Sequence, residues 1–180
     1  MATPPTFPSG AILTAAQMNQ IGLWLVKSQA VGSGVSSVAI TNAFSSDFDH
    51  YRVCWVGGTL GAGSGDMTLQ LTGSSSGYDS TLMYHTFAAT GTFLGARTTN
   101  GSGFLWVGGG DTNGGYLDVE LYGPYNTVYT TATSLVYNGT SAEGKMLGRH
   151  NSNSIYSGFS IYQSSGTMSG GTIQVYGYHK

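Results

Sequence analysis

The chain has 180 residues, enough for one well-buried core and crowded for two domains of ordinary size. Charged residues make up only 8%, against roughly 25% in an average soluble domain, and the net charge is -2, so neither nucleic acid nor an anionic membrane surface is an electrostatic partner. The single cysteine, Cys54, excludes an internal disulfide and every zinc spacing, and the longest apolar run, residues 21–26, is far too short to cross a bilayer.

The opening MATPPTFPSG holds Pro4, Pro5 and Pro8 and reads as an extended arm. It has neither the basic region nor the apolar run of a secretory signal, so release by a route other than a cleaved leader is expected. One helix is predicted, over residues 13–26. Thr14 and Gln17 form a capping box, Leu13 and Met18 a staple, and Met18, Ile21 and Leu25 recur at helical spacing, although Gly22 weakens the interior by roughly 1 kcal/mol. So short a helix must pack on something. Leu13, Met18, Ile21, Trp24 and Leu25 are therefore the candidate attachment residues, against either their own domain or a partner. The expected division is an arm and attachment helix over 1–34 and a β-sandwich domain over 35–180.

From Gly32 and Gly34 onward the pattern changes to alternation. Tyr51, Val53 and Trp55 share one face of a strand; so do Met67, Leu69 and Leu71, then Leu117, Val119 and Leu121, then Ile155, Phe159 and Ile161, and finally Ile173 and Val175. These are the predicted core faces. Further strands are expected over 35–41, 82–88, 104–107 and 128–137, with turns at GGTLGAGSGD, TGSSSG, GGGDTNGG and HNSNS. Eight or nine short strands with Gly-rich turns predict an all-β antiparallel sandwich of jelly-roll type, preceded by the one helix. Tyr116, Tyr122, Tyr156, Tyr162, Tyr176 and Tyr178 fall on the faces opposite the core. Tyrosine suits a pleated surface, a subunit interface or a sugar face; for these strand-borne rings an oligomer interface is the favoured reading, with sugar binding kept for loop aromatics.

Catalytic constellations are sparse. Asp118 and Glu120 lie two apart on one strand and point the same way, a spacing open to paired-carboxylate hydrolysis but more ordinary for a solvent-facing strand. His50, His85, His150 and His179 are scattered, and Cys54 in YRVCWV reads as a buried strand thiol. DTNGG opens like a calcium loop but reaches Tyr122 where the last ligand should be, so Asn113-Gly114 reads as a hairpin turn. Asp47, Asp49 and His50 read as a turn before a strand rather than a metal site. The sequons at Asn100 and Asn138 matter only in a secretory pathway. No catalytic, cofactor or metal site is expected.

Three stretches carry a resemblance when taken together: PSGAILTAAQMNQI near the start, VSSVAITNAFSSDFDHYRV in the first third, and TMSGGTIQVYGYHK at the end. In this order they resemble segments of bacteriophage minor tail, tail-fibre and appendage proteins, leaving the middle of the chain unmatched. The resemblance implies a non-enzymatic virion protein made in the bacterial cytoplasm. Its N-terminus would attach to other virion proteins, and its β-rich module would be homo-oligomeric, with a trimer favoured, facing a host-surface carbohydrate. A carbohydrate-binding module or lectin without a virion role is the alternative, with a capsid decoration protein and a polysaccharide depolymerase behind it.

Overall fold

A computed structural model describes residues 10, 12, 22–61, 65–88, 91–139 and 141–179. Its strands are β1 (Leu23–Ala30), β2 (Ser37–Ile40), β3 (Phe48–Leu60), β4 (Gly65–Leu71), β5 (Tyr78–Thr86), β6 (Leu94–Gly101), β7 (Phe104–Gly110), β8 (Gly115–Tyr122), β9 (Thr131–Asn138), β10 (Ala142–His150), β11 (Phe159–Gln163) and β12 (Met168–His179). Among the described residues the protein is all β, without helix, and its strands pair antiparallel in one 12-stranded sheet. No helix among them is long and apolar enough to cross a membrane.

β8 is the branch point. Its first residues pair β7 and its later ones pair β9, while its other edge pairs β3. One path therefore runs β1-β12-β3-β8-β9-β10-β5-β6, and a second leaves β8 through β7 to β4, β11 and β2. Both contribute to one core. Tyr51, Val53 and Trp55 of β3, Met67, Leu69 and Leu71 of β4, Leu117, Val119 and Leu121 of β8, Phe159 and Ile161 of β11, and Ile173 and Val175 of β12 are all buried in it.

Two expectations are corrected. The predicted helix ends in strand: Leu23, Trp24, Leu25 and Val26 belong to β1, whereas Leu13, Met18, Ile21 and the capping box lie outside the described residues. Periodicity cannot separate a short apolar run into helix or strand. Here Gly22, at φ 101°, turns the chain into a strand that pairs with β12 from Leu23↔Tyr178 to Ala30↔Thr172, across a bulge between Leu25 and Lys27. β1 thus joins the sheet ahead of the boundary expected at residue 35.

The second correction concerns residues 151–158, which form no strand, so alternation does not run through them. Ile155, expected in the core, is 52% exposed, and Tyr156, expected outside, is 6% exposed. Its backbone N–H donates to Pro124 O at 2.8 Å, which swings the ring inward onto His150. Alternation resumes at Phe159.

Candidate functional site

Register carries one face of the longer path across seven of its eight strands. With Val53, Val119, Met146 and Leu82 turned inward, the outer side takes His50, Arg52 and Cys54 from β3 and Tyr116, Asp118, Glu120 and Tyr122 from β8. Across β9, β10 and β5 it continues through Leu135, Tyr137, Glu143, Lys145, Leu147 and Met83. On the other flank β12 adds Tyr176 and Tyr178, and β1 adds Leu23 and Leu25. Leu25, Leu135, Leu147 and Met83 are each about half exposed, so apolar surface recurs along the whole face.

The middle of this face is a polar network. Arg52 donates to both carboxylate oxygens of Asp118, Nε to Oδ1 at 2.7 Å and Nη2 to Oδ2 at 2.6 Å. The Cys54 thiol donates to Asp118 Oδ1 at 3.6 Å, and the Tyr116 hydroxyl reaches Oδ2 at 3.5 Å. Glu120 accepts from the Tyr178 hydroxyl at 2.8 Å, and its other oxygen contacts His50 Nε2. The His50 ring is stacked between Tyr122, at 4.2 Å, and Tyr178, at 3.9 Å.

These contacts set the protonation states. Hydrogen bonding to Arg52 holds the Asp118 carboxyl below the usual carboxylate range. Burial, reinforced by Asp118, pushes the Cys54 thiol up to about 11, so it is a protonated donor rather than a nucleophile. Burial and the bond to Glu120 push Tyr178 up to about 12. Asp118 and Glu120, whose spacing is open to paired-carboxylate chemistry but more ordinary for a solvent-facing strand, do point the same way, and each has a neighbouring donor.

Arg52→Leu should cost roughly 1–2 kcal/mol, after allowing for screening of a guanidinium that is 40% exposed. Because Asp118 has a depressed folded pKa, its contribution is present above its unfolded value near 4 and is lost as pH falls through the folded one. Urea denaturation at pH 7 and pH 3 should find the gap between wild type and R52L narrowing in acid; an equal gap would refute this assignment.

Of the predicted interface tyrosines, Tyr116, Tyr122, Tyr176 and Tyr178 share this outer face. Tyr162 lies on β11 of the other path, its hydroxyl 3.2 Å from Ser102 Oγ, and Tyr156 is in the core. Of the predicted attachment residues, Leu25 is on the same face, and Trp24, opposite Gly177, is on the reverse side of β1.

Beside the network, Met83, His85, Phe93, Leu135, Tyr137 and Lys145 line a broad, open groove of about 1080 Å³, bounded by Tyr116 and the hairpin at 111–115. Sequence reasoning missed it because β10 carries Gly and charge in place of apolar alternation, and without β10 the cross-strand neighbours Leu135↔Lys145 and Lys145↔Met83 have no register. Asp111 explains the hairpin: its carboxylate accepts from the Asn113 and Gly114 N–H groups at 2.7 and 3.2 Å, a turn-forming rather than cation-binding use. The turn sits one residue earlier than expected, with Asp111 N–H donating to Gly114 O. Likewise Asp47 accepts from Ser45 Oγ, and Asp49 from Asn126. Among the described residues no group of three His, Cys, Asp or Glu side chains is placed to hold a metal ion. No protein-family model matches this chain, and no curated protein matches it.

Proposed function

We propose that the chain is a non-enzymatic bacteriophage virion protein, a tail-fibre, minor tail or appendage module that assembles as a homo-oligomer, with a trimer favoured, through its outer sheet face. The observation carrying this reading is that the face is apolar and aromatic at both flanks while its central charged groups find partners within the face: Arg52 with Asp118 and Glu120, and Glu120 with the Tyr178 hydroxyl and His50. A second copy can cover such a face without stranding an ion, which is what makes burial of charge expensive. The proposed architecture is a sandwich of jelly-roll type, supported by Phe44, which stacks on Phe159 of β11 at 5.5 Å and meets Tyr51 of β3 edge-on at 4.8 Å. The segment before β1 is then the attachment to the particle.

Sedimentation velocity tests this on the full chain. The wild type should sediment as an oligomer, and Leu135→Glu combined with Leu147→Glu should release monomers with unchanged far-UV circular dichroism. Removing residues 1–21, which spares β1, should leave the oligomer intact and abolish incorporation into particles. A monomeric wild type whose truncation still enters particles would end the proposal. The alternative, a carbohydrate-binding module, is favoured by the groove, where Tyr137, Phe93 and Tyr116 offer stacking faces beside Lys145 and Glu143. Monomeric protein that binds a glycan array, and loses binding on Tyr137→Ala, would select it.

A further inference from the structure

A second cavity, of about 200 Å³, lies where β4 and β7 meet the buried side of β5, β6, β9 and β10. Trp106, Tyr84, Leu82 and Val136 wall it, and Asp66, Asn138 and Glu143 are its polar and charged residues. We propose that this cavity is a binding site for a primary alkylammonium group, held by the Asp66 carboxylate beside Asn138 and Glu143, between aromatic walls. It shares Tyr84, Val136 and Glu143 with the lining of the outer groove but does not rest on the virion reading.

The hydrogen bonds dictate the sign of the ligand. Asn138 Nδ2 donates to Asp66 Oδ1 at 2.8 Å, and the Trp106 side chain lies near enough to favour the charged carboxylate. The carboxylate fixes the amide orientation, since the reverse would set oxygen against oxygen. Asn138 Oδ1 is consequently turned away, buried and without a partner, an arrangement native proteins seldom leave unused. Among the described residues no Lys, Arg or His forms an ion pair with Asp66. The cavity thus carries the carboxylates of Asp66 and Glu143 in its lining, and its complement is a cation that carries N–H donors.

Its walls narrow the class further. Trp106 and Tyr84 are the residue types whose ring faces attract cations. A hard metal ion needs a set of oxygen ligands, and among the described residues no group of three His, Cys, Asp or Glu side chains is placed to hold one. The backbone also marks the place: Trp106 sits at φ 61°, in the left-handed region that bulky residues rarely enter, where the β4–β7 register shifts between Met67 and Thr68. Burial raises the Asp66 carboxyl above its ordinary value, the response of an acid whose charge lacks a cation.

The test uses propylammonium, tetramethylammonium and calcium, each titrated separately into the full chain while the indole N–H resonances are followed by NMR. Trp106→Phe assigns the reporting signal among the three tryptophans. Propylammonium should shift the Trp106 signal saturably in the millimolar range open to so small a ligand. Asp66→Asn should weaken binding about 10-fold or more, as expected on loss of a charge-assisted hydrogen bond. The Trp24 and Trp55 signals, unchanged in D66N, would show that the variant is folded. No saturable shift, equal binding by folded D66N, tighter binding of tetramethylammonium, which has no N–H, or tighter binding of calcium would each overturn the assignment.

Discussion

Replacing Trp55 with alanine should lower the unfolding free energy by about 3–5 kcal/mol, the range for emptying a fully buried aromatic site. The indole is 1% exposed and its Nε1 donates to Gly170 O at 3.1 Å, so the substitution leaves both a cavity and an orphaned carbonyl. Glycines make the room for this ring. A Cβ at Gly58 of β3, Gly115 of β8 or Gly171 of β12 would run into the indole. Gly115→Ala should therefore cost about 1–3 kcal/mol through overpacking. Gly114→Ala, one residue away in the same hairpin, meets nothing within 4 Å and should stay within about 0.5 kcal/mol of wild type. Guanidinium denaturation of the three variants checks the ordering, and equal effects at Gly114 and Gly115 would refute the role given to Trp55.

That contrast also explains what was legible in the sequence. The Gly clusters at 57–66 and 108–115 read as turns because glycine is the commonest turn residue. Yet β3 continues through Gly57 and Gly58 to Leu60, and β7 through Gly108–Gly110. In a strand glycine also marks the place where a neighbour approaches closely, and composition alone cannot tell the two uses apart. Where alternation was clean, as in Tyr51-Val53-Trp55 or Leu117-Val119-Leu121, the core face followed at once. Alternation likewise set Asp118 and Glu120 on one side of one strand. Their partners could not be read, because His50 and Arg52 reach them only through the β3–β8 register, a long-range property. β1 escaped for the same reason: LWLV has no conformation of its own until β12 offers an edge.

Tyr156 was misplaced by carrying alternation through an irregular segment, and its true position yields the other large prediction. It belongs to a buried cluster around His150, where its hydroxyl meets Nδ1 at 3.2 Å, Ser74 Oγ and Ser76 O meet Nε2 at 2.8 and 3.1 Å, and the Tyr78 ring packs at 4.3 Å. Ser76 O only accepts, so Nε2 carries the proton and Nδ1 accepts from Tyr156: a neutral imidazole. Burial holds His150 below its ordinary value, since the charged form would be desolvated with no carboxylate beside it among the described residues. The sign follows. Between the two pKa values the unfolded chain binds a proton that the folded chain refuses, so stability is full above about pH 6.5 and falls on acidification, by at most about 1.4 kcal/mol per pH unit, until the folded value is passed. His150→Gln should cost about 1–3 kcal/mol at pH 7.5, through lost packing and unpaired hydroxyls, and should remove this slope. The chain has four histidines, so the quantity to measure is the difference between wild type and H150Q at each pH. That difference should shrink from pH 7.5 to pH 5; parallel curves would mean that the buried imidazole does not govern the acid response.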